Sequence, residues 1–191
     1  MILCQGVGFN DRKYPSKIKG KNVREYKLWN AMLYRCYSPK ALSRDKGYID
    51  CTVSENFKSY SYFYEWCQEQ IGFSSGFELD KDIIIKGNKL YSEDTCAFIP
   101  HEINSVLNSC KSARGELPVG IQKTKSGKYK ARVCLSEGRV NCGLHKTCDD
   151  AFEAYKQEKE RRIRILAYKY KDVIDCRVYN SLLSYSVEVG D

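Results

Sequence analysis

The segment 117–170 constrains the fold most strongly, because turn signals divide it into three strand-like runs followed by a helix. The dipeptides Ser-Gly at 126–127 and Glu-Gly at 137–138 are typical of tight turns between strands. Thr147 followed by Asp150 is typical of a helix start, where a threonine oxygen accepts from a free backbone N–H group. We therefore predict a three-stranded antiparallel sheet with one helix covering one of its faces.

Charged and apolar side chains alternate along the middle strand of this sheet. Successive side chains of a strand point to opposite faces, so the pattern predicts one basic face and one apolar face. The helix offers an apolar stripe to cover the second face, and the run 158–164 is expected to lie largely outside the core. The basic positions are Lys128, Lys130 and Arg132, the apolar positions are Tyr129, Ala131, Val133 and Leu135, and the helix stripe comprises Ala151, Phe152, Ala154, Tyr155, Ile163, Leu166, Ala167 and Tyr170.

Positive charge is concentrated in two short segments of a chain whose net charge is +8. Residues 111–147 hold 9 basic and 2 acidic side chains, a net of +7, and residues 1–30 hold 7 and 2, a net of +5. Clustered positive charge favours a polyphosphate partner, because each neutralised phosphate releases condensed counterions. The alternative is a solvated basic surface without a partner. Because a basic sheet face fits the DNA major groove, we expect double-stranded DNA to be contacted by Gln122, Lys123, Lys125, Lys128, Lys130, Arg132 and Arg139.

Two helices with aromatic stripes are expected in the first half of the chain. The segments 23–37 and 54–72 carry apolar side chains at steps of three and four, and a short strand fits between them at 47–53. Ser54 and Gly72 are the expected ends of the second helix. The helical period favours burial in a core over a stacking platform for bases. The stripes are Trp29, Met32, Leu33 and Cys36 in the first helix, and Phe57, Tyr60, Tyr64, Cys67 and Ile71 in the second.

The ten cysteines form no Cys-x-x-Cys pair, which a structural zinc site usually contains. Most of them lie in apolar stretches, so we interpret them as reduced thiols in the core, and structural zinc is not expected. A zinc site built from distant cysteines stays open as the alternative, with Cys36, Cys51, Cys67 and Cys96 as candidate ligands. No apolar run approaches the roughly 20 residues of a membrane span, so we expect a cytoplasmic location without membrane contact.

The segment 77–104 has the order strand, loop, strand and helix. The run 77–85 is rich in residues that favour strands, and the run 96–99 is a short apolar piece. Pro100 suits the first turn of a helix, where the missing N–H group costs nothing. We therefore predict a ββα arrangement across this segment.

Several phrases of the chain resemble the HNH-type homing endonucleases of bacteriophages and related mobile elements, namely GVGFNDRKYPS, YKLWNAMLYRCYS, ELDKDI and YSEDTCAFIPHEIN. The later phrases GIQKTKSGKYKARV and GLHKTCDDAFEAYK resemble the AP2-type DNA-binding domain. The resemblance implies an α+β fold with a basic N-terminal segment at 1–20, a ββα-metal (HNH-like) module at 21–115 and an AP2-like module at 116–191.

The resemblance also implies a phosphodiesterase centre at which one residue departs from the family pattern. In that family a neutral histidine on the first strand deprotonates the attacking water, and the matching pair in this chain is Asp80-Lys81. A lysine is ordinarily protonated at neutral pH, so we expect it to hold DNA rather than to act as a general base. The implied metal is Mg²⁺ or Mn²⁺. The degenerate catalytic positions are Asp80, Lys81 and Asn104, and the candidate metal ligands are Asp80, Asp82, His101, Asn104 and Asn108.

The favoured function is therefore DNA binding with impaired or lost cleavage. We expect a sequence-specific transcriptional repressor or regulator of homing-endonuclease descent, which needs no cofactor for binding and acts inside a bacterial host cell. One alternative is an active HNH-type DNA endonuclease or nickase that depends on Mg²⁺ or Mn²⁺. A second alternative is a protein-binding inhibitor module without DNA affinity. The sequence leaves open whether two copies form a homodimer.

Overall fold

Helices and small sheets follow one another along the chain in this computed structural model, which describes residues 3–107 and 117–189. The fold is α+β, as predicted. The chain divides into two units, Met1–Phe98 and Ile99–Asp191, and each has a hydrophobic core of its own. The division falls at 98/99, whereas the sequence placed it at 115/116, and the segment 1–20 belongs to the first unit.

The first unit consists of short helices and paired short strands. Its helices are α1 (Arg24–Tyr37), α2 (Pro39–Arg44) and α3 (Tyr60–Glu69), with 3₁₀ turns at Lys46–Tyr48 and Asn56–Lys58. Its strands are β1 (Lys17–Ile18), β2 (Lys21–Asn22), β3 (Thr52–Val53), β4 (Glu78–Asp80), β5 (Leu90–Tyr91) and β6 (Ala97–Ile99, whose last residue opens the second unit). Strand β1 pairs with β2 in antiparallel orientation, β3 pairs with β5 in parallel, and β4 pairs with β6.

Helix α1 buries the stripe that its sequence predicts. Trp29, Met32 and Leu33 are completely buried, and Cys36 is 6% exposed. The indole N–H group of Trp29 donates to the carbonyl oxygen of Phe57 at 2.8 Å, so the largest side chain of the helix has no unsatisfied polar atom in the core.

Helix α3 is shorter than the predicted helix over 54–72. It begins at Tyr60, because the Ser59 hydroxyl accepts from the backbone N–H group of Tyr62 at 3.4 Å. The Ser54 hydroxyl instead accepts from the N–H group of Phe57 at 3.2 Å and closes the preceding 3₁₀ turn. The helix ends at Glu69, so the predicted core position Ile71 lies beyond it and is 55% exposed. The predicted bounds of this helix are therefore wrong at both ends.

Aromatic rings fill the core of the first unit. The ring centroid of Phe57 lies 5.1 Å from that of Phe63 and 4.8 Å from that of Trp66. Tyr60 is also completely buried, with its ring centroid 5.4 Å from Trp29. Edge-to-face and tilted pairs at these distances add to the stabilisation from burial. The interpretation of these stripes as core is confirmed except at Ile71, which is exposed, and Tyr64, which is half-buried. The buried rings are not available to stack on bases.

The second unit begins with a short helix and continues with the predicted sheet and helix. Its helices are α4 (His101–Leu107), α5 (Cys148–Tyr170) and α6 (Cys176–Leu183), and its strands are β7 (Ile121–Lys123), β8 (Tyr129–Leu135) and β9 (Gly138–His145). The three strands form one antiparallel sheet in the order β7-β8-β9, and α5 packs against all three. The Thr147 hydroxyl accepts from the N–H group of Asp150 at 3.1 Å, which is the predicted start of the long helix.

Strand β9 contains a bulge that changes its register. Lys130 lies opposite Leu144 and Arg132 lies opposite Asn141, so the single residue Ala131 faces two residues of β9. One of these is Gly143, whose φ of 105° is a conformation that favours glycine. Because of the bulge, Leu144 shares a face with Lys130.

Helix α5 covers the sheet with residues spaced by four. Ala151, Tyr155, Ile163 and Ala167 are buried, and they lie in the predicted apolar stripe. Lys159 occupies the central position of this stripe and is only 2% exposed, although the sequence placed the run around it outside the core. Its ammonium lies 5.6 Å from the ring centroid of Tyr155 one turn earlier, and this cation–π contact offsets part of the cost of burying the charge.

In the part of the chain that the structure describes, none of the helices has the length and apolar character needed to cross a bilayer.

Candidate nucleic-acid interface

One face of the three-stranded sheet carries most of the side chains predicted to contact DNA. Residues directly opposite each other in antiparallel strands share a face. Gln122 lies opposite Lys130 across β7 and β8, and Lys130 lies opposite Leu144 across β8 and β9. The pairs Arg132–Asn141 and Cys134–Arg139 extend the same face. We call it the open face, and it comprises Gln122, Lys130, Arg132, Cys134, Arg139, Asn141 and Leu144.

The other face of the sheet packs on the long helix. Ala131 and Val133 of β8 are 0% and 1% exposed, and they belong to the same core as Ala151 and Tyr155 of α5. The alternation read from the middle strand is therefore confirmed. Because the helix side holds the apolar residues, the basic side chains of this face are carried by the strands of a packed sheet rather than by a loop.

The positive charges of the open face have no acidic partner within the described residues. None of the ion pairs found in 3–107 and 117–189 involves Lys130, Arg132 or Arg139. The guanidinium of Arg132 donates to the side-chain oxygen of Gln122, a neutral acceptor on the neighbouring strand. This contact orients the guanidinium on the face while leaving its charge uncompensated.

The turn between β7 and β8 presents two further basic residues. The N–H group of Thr124 donates to the carbonyl oxygen of Lys128 at 2.8 Å, and its hydroxyl donates to the same oxygen at 2.9 Å. Gly127 has a φ of 79°, which the tight turn requires. Lys125 and Lys128 are both exposed on this ordered turn, at the end of the sheet next to Lys130.

Lys123 does not belong to the open face. It lies opposite Tyr129, whose side chain faces the helix, and its ammonium is 5.8 Å from the centroid of the Tyr129 ring. The sequence analysis placed Gln122 and Lys123 in one contact set, but successive side chains of a strand point to opposite faces. Six of the seven predicted contact residues are thus brought together on the open face or its turn.

Three residues of the open face, Cys134, Asn141 and Leu144, were missed from the sequence. Asn141 and Leu144 lie beside Arg132 and Lys130, and Leu144 is 52% exposed. Asn141 and Leu144 lie on the same face because the bulge at Gly143 breaks the strict alternation of side chains along β9. A glycine inside a strand pattern is the sequence signal of such a bulge.

Asp80 is the last residue of β4, and its carboxylate accepts hydrogen bonds from the backbone of the loop that leads to β5. Its Oδ1 atom accepts from the N–H groups of Asp82 and Ile83, each at 2.7 Å. Burial raises the pKa of Asp80, and the two N–H donors oppose that rise. The side chain therefore shapes the turn that follows β4.

Lys81 is buried, and its ammonium holds the same loop together. The Lys81 side chain is 6% exposed, and its Nζ atom donates to Asp82 Oδ1 at 2.5 Å and to the carbonyl oxygen of Asn88 at 2.7 Å. The Asn88 side chain in turn donates to the carbonyl oxygens of Lys81 and Leu90. The ammonium also lies 5.8 Å from the ring centroid of Tyr91. Since these groups enclose it, the expectation that Lys81 holds DNA does not fit its position.

Two of the candidate metal ligands, Asp80 and Asp82, accept hydrogen bonds from the protein itself. The Oδ1 atom of Asp80 is occupied by backbone N–H groups, and Oδ1 of Asp82 is occupied by the Lys81 ammonium, whose charge repels a cation. Across 3–107 and 117–189 there is no group of three or more His, Cys, Asp or Glu side chains that could hold one ion. His101 and Asn104 lie in α4 of the second unit, where His101 is exposed, and Asn108 lies outside the described residues.

The cysteines proposed as alternative zinc ligands are packed as thiols in the core of the first unit. Burial raises the pKa of Cys36 and of Cys96 to about 12, so both are protonated at neutral pH. Burial also raises the pKa of Cys51 and of Cys67. The four residues lie buried among the apolar side chains of this core, as small hydrophobic side chains do.

Comparison of the chain with protein-family models, with curated proteins and with solved structures returned no match. The assignment of function therefore depends on the side chains and their geometry.

Proposed function

We propose that the protein binds double-stranded DNA through the open face of the β7–β9 sheet and acts as a sequence-specific regulator, most simply as a repressor. The observation that carries the proposal is the group of uncompensated positive side chains on a rigid sheet whose other face is covered by α5. Occupation of a DNA site would itself block transcription, so no catalytic step and no cofactor is needed.

The spacing of the basic residues supports a duplex as the partner. Side chains two residues apart along an antiparallel strand are separated by about 6.8 Å, which is about twice the rise of 3.4 Å per nucleotide along a DNA strand. A strand that follows the groove can therefore place Lys128, Lys130 and Arg132 near alternate nucleotides. Two- and three-stranded sheets are narrow enough to enter the major groove.

The side chains of the open face fall into two chemical roles. Arg132 is held by Gln122 and presents a planar guanidinium that can pair with guanine O6 and N7. The lysines at 125, 128 and 130 are point charges suited to phosphate oxygens. Arg132 and Arg139 are thus assigned to recognition of the base sequence, and the lysines to affinity for the DNA backbone.

The order of elements supports a family relationship for both units as part of the proposal. Three antiparallel strands followed by a long helix are the arrangement expected of an AP2-like module. Strand β4 pairs with β6, and α4 follows β6 in the chain, which is the arrangement expected of an HNH-like ββα frame that extends into the second unit. We propose that this frame has lost cleavage, because Lys81 replaces the general base and removal of a general base costs about 10²–10⁴ in rate.

The proposal is tested by selecting bound duplexes from a random pool and then measuring affinity for the recovered sequence. We expect Arg132→Ala to weaken binding by about 1–3 kcal/mol and to relax the preference at one position. Arg161→Ala removes an exposed arginine of α5 that pairs with Glu158, and it should leave affinity unchanged.

Two outcomes of the same study would overturn parts of the proposal. Metal-dependent nicking of supercoiled plasmid with Mg²⁺ or Mn²⁺, abolished by Asp80→Ala, would show that the protein is an endonuclease. An absence of DNA binding even at low salt would overturn the proposal as a whole and favour a protein-binding module.

A further inference from the structure

A short lysine-rich hairpin in the first unit forms a second basic feature, separate from the sheet. Strands β1 and β2 pair Lys17 with Asn22 and Ile18 with Lys21. The two-residue turn between them has φ values of 49° at Lys19 and 76° at Gly20. Positive φ at both central positions is typical of a type I′ turn, which gives a tight and well-defined ribbon.

The base of the hairpin is fixed to the rest of the first unit. The carbonyl oxygen of Pro15 accepts from the hydroxyl of Tyr60 at 2.9 Å, and the ring of Tyr14 stacks on that of Tyr64 with centroids 4.1 Å apart. On the other side, the carbonyl oxygen of Val23 accepts from the N–H group of Lys27 in α1 at 3.1 Å. Because both ends are held, the ribbon keeps a defined direction.

The hairpin is exposed along its length and carries like charges. Lys17, Lys19 and Lys21 are exposed, and none of them takes part in an ion pair among the described residues. Ile18, between the first two, is 58% exposed. A two-stranded ribbon is marginally stable by itself, and three unpaired lysines make it less favourable. These charged side chains therefore do not stabilise the fold, and they are accessible to a binding partner.

We infer that the hairpin at 16–23 is a second DNA-contacting element, in which Lys17, Lys19 and Lys21 bind phosphates at the edge of a groove. This inference rests on the proposed DNA-binding function and adds a contact from the other unit. Lys19 lies in the turn, and Lys17 and Lys21 lie on opposite faces of the ribbon, so a ribbon that enters a groove can reach phosphates on both of its sides. A two-stranded ribbon is also narrow enough to follow a groove.

The test replaces the three lysines together, in the full chain, and measures DNA affinity over a salt series. Lys17→Gln, Lys19→Gln and Lys21→Gln in one variant should reduce the slope of log K against log salt by about 2–3, because each phosphate contact contributes about 0.9. The matched control removes three exposed positive charges of α2 and the following turn in the same unit, through Lys40→Gln, Arg44→Gln and Lys46→Gln. The control should change the slope by less than about 0.5. The single variant Lys19→Glu, which changes only the turn, should also weaken binding.

The outcomes separate this inference from the proposed function. If wild-type protein binds DNA and the hairpin variants behave like the control, the hairpin does not contact DNA, and the sheet proposal stands. If the hairpin variants lose binding to vesicles of anionic lipid but keep DNA affinity, the hairpin serves a membrane surface and the inference is wrong. If wild-type protein does not bind DNA at all, the proposed function fails together with this inference.

Discussion

Asp80 and Lys81 are neighbours in the sequence, but their charged groups have different surroundings. Asp80 accepts from two backbone N–H groups, whereas the Lys81 ammonium is enclosed by Asp82, a carbonyl oxygen of Asn88 and the ring of Tyr91. The sequence identified Lys81 as the residue that departs from a nuclease pattern. It could not predict that the ammonium would be turned inward, because its partner Asn88 lies seven residues away and is brought near only by the loop.

Replacement of Lys81 tests whether this ammonium stabilises the loop. Lys81→Met keeps the length of the side chain but leaves Asp82 and the Asn88 carbonyl oxygen without their donor, so we expect the free energy of unfolding to fall by about 1–3 kcal/mol. Lys40→Met removes an exposed lysine of α2 whose ammonium has no partner among the described residues, and it should change the free energy of unfolding by less than about 0.5 kcal/mol. Urea denaturation of both variants measures the difference, and equal stability of Lys81→Met and wild type would show that the contact is not stabilising.

At the scale of elements, the long helix α5 is the most fully predicted part of the fold. Its start at Thr147 and four of its buried positions follow from the sequence pattern, because capping and a period of 3.6 residues are local properties. The burial of Lys159 does not follow, since a lysine inside an apolar stripe is ordinarily assigned to solvent. The ends of α3 were missed for a similar reason, because Ser54 and Ser59 are both suitable caps and the tertiary fold selects between them.

Helix α5 also carries an ion-pair cluster that makes its stability depend on pH. Glu158 receives two bonds from the Arg161 guanidinium, each at 2.8 Å, and one from Arg162 at 2.7 Å. These donors lower the pKa of Glu158 to about 2. A lowered pKa stabilises the folded state above the ordinary value of 4.5, and that contribution is lost as the pH falls towards 2.

The pH dependence is measured by comparing Glu158→Gln with wild type. We expect the variant to be less stable by about 1 kcal/mol at pH 7, a value reduced for the solvent exposure of Arg161. The difference should shrink as the pH is lowered from about 5 to about 2, because protonated Glu158 then resembles glutamine. The carboxylate of Glu153 accepts a hydrogen bond from the neutral side chain of Gln157, so Glu153→Gln serves as the control. A difference that stays constant over this range would contradict the assignment.

At the scale of the whole molecule, positive charge is distributed over both units. The sheet and its turn hold one group of unpaired basic residues, and the hairpin holds another. The sequence located both groups through the charge count, but it could not decide which side chains share a face. Lys123 and Leu144 show why, since the first is sent to the helix side by strand alternation and the second reaches the open face only through a bulge.

The division into units was also only partly predictable. A sheet followed by a helix was recognised as a separate module, because its pattern is local. The short helix α4 follows β6 directly in sequence and so was assigned to the first module, yet it packs on α5 and β8. The ion pair between Glu102 of α4 and Lys169 of α5, at 2.6 Å, joins residues 67 positions apart, and such a contact has no local signal.

The salt dependence of DNA binding tests the central claim most directly. A variant with Lys128→Gln, Lys130→Gln and Arg132→Gln loses three charges from the open face and its turn. A control with Arg161→Gln, Arg164→Gln and Lys169→Gln loses three positive charges from α5. Each of these three side chains forms an ion pair with an acidic residue. We predict that the open-face variant binds duplex DNA more weakly than wild type and that its slope of log K against log salt is smaller by about 2–3, while the control keeps the wild-type slope. Equal affinity and equal slope for the open-face variant and wild type would contradict the account.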